Sequence, residues 1–243
     1  MKAAVVAGWS DVPHLDAKAQ ADMLATYPAW QRDARSKGIP QLGSGAIYSV
    51  AEEDFVVAPF ELAKHWPRVF ALDVGWNCTA VLFGAWDRET GTVYVYDEIY
   101  RGKTEPAVIA SAIKQRGDWI PGVIDPASRG RSQADGRQLI ELYRTESLDL
   151  MPADNAVEAG IFAVWQRLGT GGLKVFRSCS QTLAEYRLYR RDEKGKVVKQ
   201  NDHAMDALRY LIMSGLDRAV VEPIKRPGAK PWYYVAPPRV FAG

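Results

Sequence analysis

Hydrophobic and polar positions change their rhythm twice along the chain. Up to residue 66 the pattern is short and broken. Asp16 stands before Ala17 to Ala25, an N-cap followed by good helix formers, and Pro28 stops the run. Gly38 to Gly45 is a string of breakers that reads as loop. From Pro67 short apolar runs take over: Val69–Leu72, Thr79–Trp86 and Thr92–Tyr96, with turn residues Asp87 to Gly91 between the last two. Their length and β-branched or aromatic content predict three strands in an antiparallel meander. After Gly102 helix and strand alternate. Helices are expected at Glu105–Arg116, Gln133–Arg144 and Asn155–Leu168, and strands at Gly122–Asp125, Leu148–Met151 and Leu173–Phe176. Such alternation implies parallel strands with covering helices. Tyr186 to Lys199 reads as a basic hairpin turning at Lys194-Gly195, and a last helix runs from Asp202 to Leu216. Val220 to Gly243, with five prolines and the cluster Trp232-Tyr233-Tyr234, reads as an extended basic tail. The fold class is therefore α/β: a mixed sheet of three antiparallel strands followed by parallel ones, with helices on both faces.

Composition narrows the picture. The 243 residues are 47% hydrophobic and 25% charged, which excludes wholesale disorder and allows a sizeable core. No apolar run approaches membrane-spanning length. The apolar start Met1 to Gly8 ends too early, at Trp9-Ser10-Asp11, for a signal peptide. Cys78 and Cys179 are too few for a disulfide framework and too isolated for a zinc site. With 31 basic against 29 acidic side chains, any case for nucleic acid rests on local charge. Arg187, Arg190, Arg191, Lys194, Lys196 and Lys199 supply such a cluster, and Arg129 and Arg131 follow Asp125 in a Ser128-Arg129-Gly130-Arg131-Ser132 loop. The plain alternative is that both are solvated surface.

Three acidic positions carry candidate chemistry. Asp73 ends the apolar run Val69–Leu72, and Asp125 ends Gly122-Val123-Ile124 in the same way before Pro126. A carboxylate in a buried strand requires a partner, and strand ends of an open α/β sheet converge on one rim. If the two strands are neighbours, their acids repel and a divalent cation is the natural neutraliser. The third position lies in Asn201-Asp202-His203-Ala204-Met205-Asp206, where Asp202 and Asp206 share a helix face. Asp202 also suits an N-cap role, which would account for it without chemistry. An oxygen-rich set suits Mg²⁺ or Mn²⁺, and two such ions serve in-line displacement at phosphorus.

These segments carry a family resemblance. Phe70 to Trp76, Gly122 to Ala127 and Asn201 to Tyr210 resemble the three acidic motifs in the nuclease domain of the large terminase subunit of tailed bacteriophages. Asp11 to Leu15 and Lys37 to Tyr48 resemble the stretch that joins the packaging ATPase to that nuclease. The resemblance implies a ribonuclease H-like nuclease that cuts concatemeric double-stranded viral DNA with two divalent ions, Mg²⁺ or Mn²⁺. By position, Asp73 and Asp125 would be metal ligands; the third would be Asp206, Asp202 or His203, with Asp206 favoured. It also implies portal protein and small terminase subunit as partners, no membrane, and a location in the infected host's cytoplasm, transiently on the procapsid. The expected organisation is 1–66 as linker and end of an upstream ATPase domain, 67–217 as nuclease, and 218–243 as tail. No Gly-x-x-x-x-Gly-Lys-Ser/Thr loop is present, because Gly169 to Lys174 has the wrong spacing; no ATP hydrolysis is expected. Two other readings stand beside this one: a non-catalytic docking module that binds portal or DNA, and a resolvase- or transposase-type nuclease on the same fold.

Overall fold

Phe70, Ala71 and Leu72 have no exposed surface, so the strand built from them needs cover on both sides. The computed structural model describes residues 9, 16–26, 36, 45–129 and 138–224. Among these, seven strands form one sheet: β1 (Val56–Val57), β2 (Arg68–Asp73), β3 (Thr79–Asp87), β4 (Thr92–Arg101), β5 (Gly122–Ile124), β6 (Leu150–Pro152) and β7 (Leu173–Phe176). Their spatial order is β1-β7-β4-β3-β2-β5-β6. The pairs β2–β3 and β3–β4 are antiparallel; β2–β5, β5–β6, β4–β7 and β1–β7 are parallel. The expected mixed sheet is the one observed.

The helices are α1 (Ala17–Thr26), α2 (Glu52–Phe55), α3 (Pro106–Lys114), α4 (Leu139–Thr145), α5 (Val157–Gly169), α6 (Ser180–Leu188) and α7 (His203–Tyr210). Alternation along β2 divides the core. Phe70 and Leu72 join Ile109 and Ile113 of α3 and Ile140 of α4 on one face. Val69 and Ala71 join Val164 of α5, Leu183 of α6 and Leu208 of α7 on the other. Helices thus cover both faces, as the pattern predicted.

Several details differ from the expectation. Helix α6 lies where no helix was expected, and its buried side includes Thr182 and Glu185 beside Leu183 and Tyr186. Polar residues on the inner face hid the helical period. As a result Tyr186 and Arg187 belong to a helix rather than to the hairpin, which narrows to a turn around Asp192–Lys196 closed by an Arg191–Val197 bridge. The last helix is α-helical only to Tyr210, then becomes a π-turn over Leu211–Gly215 and a 3₁₀ turn over Leu216–Arg218. Leu211 fits against Gly84, where a β-carbon would come within 3.0 Å of its methyls. Residues before Pro67 complete the sheet: β1 forms its edge on β7, Phe55 is buried, and Tyr48 stacks on Tyr186 with centroids 5.7 Å apart. Positions 133–137 of an expected helix, and the Trp232-Tyr233-Tyr234 cluster, lie outside the described residues.

Gly122 is a close-approach position, because a β-carbon there would sit 2.3 Å from the ring of Phe70. Gly122→Ala is expected to overpack this strand pair and lower stability by about 1–3 kcal/mol. Denaturant titration should show the loss, and Phe70→Leu in the same chain should recover part of it.

Candidate active site

Asp73 and Asp125 stand one residue beyond a paired position. Leu72 is in register with Ile124, and the Asp125 amide donates to the Leu72 carbonyl at 2.9 Å. Because side chains alternate along a strand, both acids point to the face shared by Ala71 and Val123, the one covered by α5, α6 and α7. The two acids predicted to meet at a sheet rim do so.

Helix α7 holds both of them. Nδ1 of His203 meets Oδ2 of Asp73 at 2.8 Å, and the Tyr210 hydroxyl donates to Oδ1 of Asp125 at 3.3 Å. His203 and Tyr210 are two turns apart on one helix face, so a single rigid element spans the acidic pair. Asp125 Oδ1 also accepts from the Ala127 amide at 2.9 Å, in the short 3₁₀ segment Pro126–Arg129. Burial pushes the Asp73 carboxyl above its usual range; the His203 hydrogen bond opposes this, and the charges of Asp206 and Asp125 add to the rise. The hydrogen bond to Asp73 raises His203 above its ordinary 6.5.

Asp202 and Asp206 serve other partners. Asp206 Oδ1 accepts from Arg209 at 2.7 Å, and Oδ2 accepts from Lys199 at 2.9 Å. Arg209 is wholly buried, and its stem runs past Gly160 of α5, where a β-carbon would come within 3.3 Å of it. Lys199 also reaches Asp202 at 3.1 Å. Burial works against the charge on Lys199, yet Asp206 and Asp202 hold its pKa above the usual lysine value. Asp202 occupies the N-cap position of α7 without making a capping bond. The cap comes from Glu185 of α6, whose carboxylate accepts from the Ala204 amide at 2.6 Å and from the Tyr100 hydroxyl at 2.6 Å. Glu185 is buried and ties β4, α6 and α7 together; the linear pattern carries no signal for a contact between residues so far apart.

The basic candidates separate into two groups. Arg187 is engaged by Glu52 at 2.6 Å and Arg191 by Glu158 at 2.6 Å, so each ties two segments of the fold together. Arg190, Lys194 and Lys196 are exposed on the hairpin. Arg129 closes the short 3₁₀ segment Pro126–Arg129 that follows Asp125, and Arg131 lies outside the described residues.

Among the described residues no three His, Cys, Asp or Glu side chains stand in ready metal-ligand geometry. The pair Asp73 and Asp125 nevertheless suits a hard divalent cation: two carboxylates side by side, one of them desolvated and raised partly by the other's charge.

The family model for the Terminase RNaseH-like domain matches residues 71–214. The chain is 31% identical over 228 residues to the large terminase subunit of Salmonella phage P22, covering 90% of this chain and 46% of that protein. It therefore spans about half the length of the curated relatives it matches. The solved nuclease domain of the P22 large terminase superposes with a TM-score of 0.68 at 30% identity, over 74% of this chain and 96% of that one. The large terminase nuclease of thermophilic phage G20c with bound magnesium shares the fold, with a TM-score of 0.51 at 15% identity over 70% of this chain and 97% of that one.

The ion pairs set Asp206 apart from Asp125. Asp206→Ala leaves Arg209 buried without its counter-charge and should lower stability by about 3–5 kcal/mol, whereas Asp125→Ala should cost far less; urea melts in chelator compare them directly. His203 has a raised folded pKa, so its contribution is complete below about 6.5 and is lost as pH rises through the folded value. Denaturation midpoints of His203→Gln against the parent should converge with rising pH; a constant gap would show that the Asp73 contact is not linked to protonation.

Proposed function

The chain belongs to the Terminase RNaseH-like domain family, and on that premise we propose that it is a metal-dependent endonuclease that cuts concatemeric double-stranded viral DNA during genome packaging. The observation that carries this reading is the placement of Asp73 and Asp125 on one face of two adjacent strand ends, beneath a helix that contacts both.

Asp73 and Asp125 would hold the cation, Mg²⁺ or Mn²⁺. The magnesium held by the G20c nuclease, a protein of the same fold, supports that choice. When bound, divalent ions supply Lewis-acid charge that makes water nucleophilic and stabilises the leaving oxygen at phosphorus, and two are proposed. The third ligand is proposed to come from His203, Asp206 or Asp202, and the charge of Asp206 acts on Asp73 more strongly than that of Asp125. His203 already touches Asp73, while both oxygens of Asp206 are engaged by Arg209 and Lys199. Tyr210 orients Asp125, and Glu185 fixes the start of α7 and with it the His203 ring. Arg190, Lys194 and Lys196, with Arg129 and Arg131, would meet phosphates in a sequence-tolerant, salt-sensitive way. Arg187, Arg191 and Lys199 are better read as structural, given their ion pairs.

The nuclease unit is proposed to extend from about residue 46 to 220, wider than 67–217, because β1 completes the sheet and Val220 bridges to Arg68. The sequence holds no phosphate loop, so cleavage rather than ATP-driven translocation is proposed for it. Portal protein and the small terminase subunit are the proposed partners, in the cytoplasm of the infected host and transiently on the procapsid. No helix among the described residues is long and apolar enough to cross a membrane.

Supercoiled plasmid incubated with the chain in Mn²⁺ or Mg²⁺ should be nicked and linearised, and chelator should stop this. Asp73→Asn and Asp125→Asn should each reduce cleavage by more than the roughly 10–100-fold typical of losing an outer-shell partner. Undiminished cleavage by either variant would refute the assignment.

A further inference from the structure

Trp76 is 63% exposed, more than any other tryptophan among the described residues. It lies three residues beyond Asp73, in the turn that joins β2 to β3 on the catalytic rim. An exposed indole on a mobile loop would mean little, but this loop is held from two sides. Thr79 Oγ1 donates to the Gly75 carbonyl at 3.0 Å, and the Lys103 amide donates to the Trp76 carbonyl at 2.7 Å. Gly75 and Gly102 allow the close approach: a β-carbon at Gly75 would lie 2.8 Å from the Cys78 carbonyl oxygen, and one at Gly102 would lie 2.4 Å from that of Asn77. Lys103 adopts a left-handed φ of 51° to make its contact. The fold therefore strains one residue and reserves two glycines to fix the backbone beneath a side chain that it leaves in water.

We propose that Trp76 is a DNA-contact residue that stacks on a nucleobase or deoxyribose of the strand held at Asp73 and Asp125. The inference rests on the nuclease reading above and deepens it. Three residues of chain span at most about 10 Å, and successive nucleotides in duplex DNA rise about 3.4 Å per strand. The indole is thus within a few nucleotides of a phosphate at the acids. Its neutral ring cannot pair with phosphate, whereas a deoxyribose or a base step opened by insertion offers it an apolar surface or a π-face. Arg101 and Lys103, both exposed at the same rim, provide the neighbouring positive charge for the backbone.

Stacking and phosphate pairing differ in their response to salt, and this gives the test. Affinity for a fluorescent duplex is measured by anisotropy in chelator at two salt concentrations, and cleavage in Mn²⁺ is measured in parallel. Trp76→Ala should weaken binding by about tenfold or more, the scale of one lost base stack. The factor should be the same at both salts, because no counterion release is lost. Trp76→Phe should retain most of the affinity. Trp165→Ala removes another exposed indole, from α5, and should change neither binding nor cleavage. Melting temperatures of all variants should match the parent. Parental affinity and KM in Trp76→Ala would overturn the proposal while leaving the nuclease reading intact. So would a deficit shared by Trp76→Phe and accompanied by a lowered melting temperature. A parent chain that neither binds duplex nor cuts it in Mn²⁺ would overturn both.

Discussion

A carboxylate at the end of a fully apolar strand cannot stand without compensation, and this requirement organises the rim where Asp73 and Asp125 meet. Asp73 is almost buried, next to Asp125, with the charge of Asp206 also acting on it. Removing an ion from water costs several kcal/mol unless it is paired and hydrogen-bonded. Helix α7 meets that demand with His203 toward Asp73 and Tyr210 toward Asp125. The helix must then be fixed in place, and Glu185 at its start, the Arg209 stem beside Gly160 of α5 and the Leu211 contact with Gly84 do this.

The acids near α7 fall into two kinds that a list of conserved-looking letters would merge. Asp73 and Asp125 come from strand ends and leave their charge to be balanced at the rim. Asp206 has its charge balanced from within by a buried guanidinium and an ammonium. The pair with Arg209 is buried, and breaking such a pair is costly. The division follows from where each carboxylate originates: strands deliver side chains to the rim, whereas the first turn of a helix lying on the sheet delivers them partly inward.

Much of this was legible in the sequence. The apolar runs ending in Asp73 and Asp125 gave both strands and their convergence, and the Thr92–Gly102 stretch gave the change from meander to alternation. Helix α6 was not legible, because Thr182 and Glu185 occupy its inner face and interrupt the apolar period. The N-cap assigned to Asp202 was reasonable from local chemistry, but Glu185 takes that role from outside the helix, a tertiary contact that no window of adjacent residues reports. The basic run from Arg187 to Lys199 looked uniform as text, yet its members divide according to whether an acid from elsewhere in the fold, Glu52, Glu158 or Asp206, lies within reach.

Lys199 links the hairpin to α7 through Asp202 and Asp206, so the two elements share one set of oxygen atoms. Thermodynamic reciprocity then applies. Whatever draws that ammonium away from the helix leaves the carboxylates of Asp202 and Asp206 less neutralised, and whatever neutralises those carboxylates loosens the hairpin by the same coupling energy.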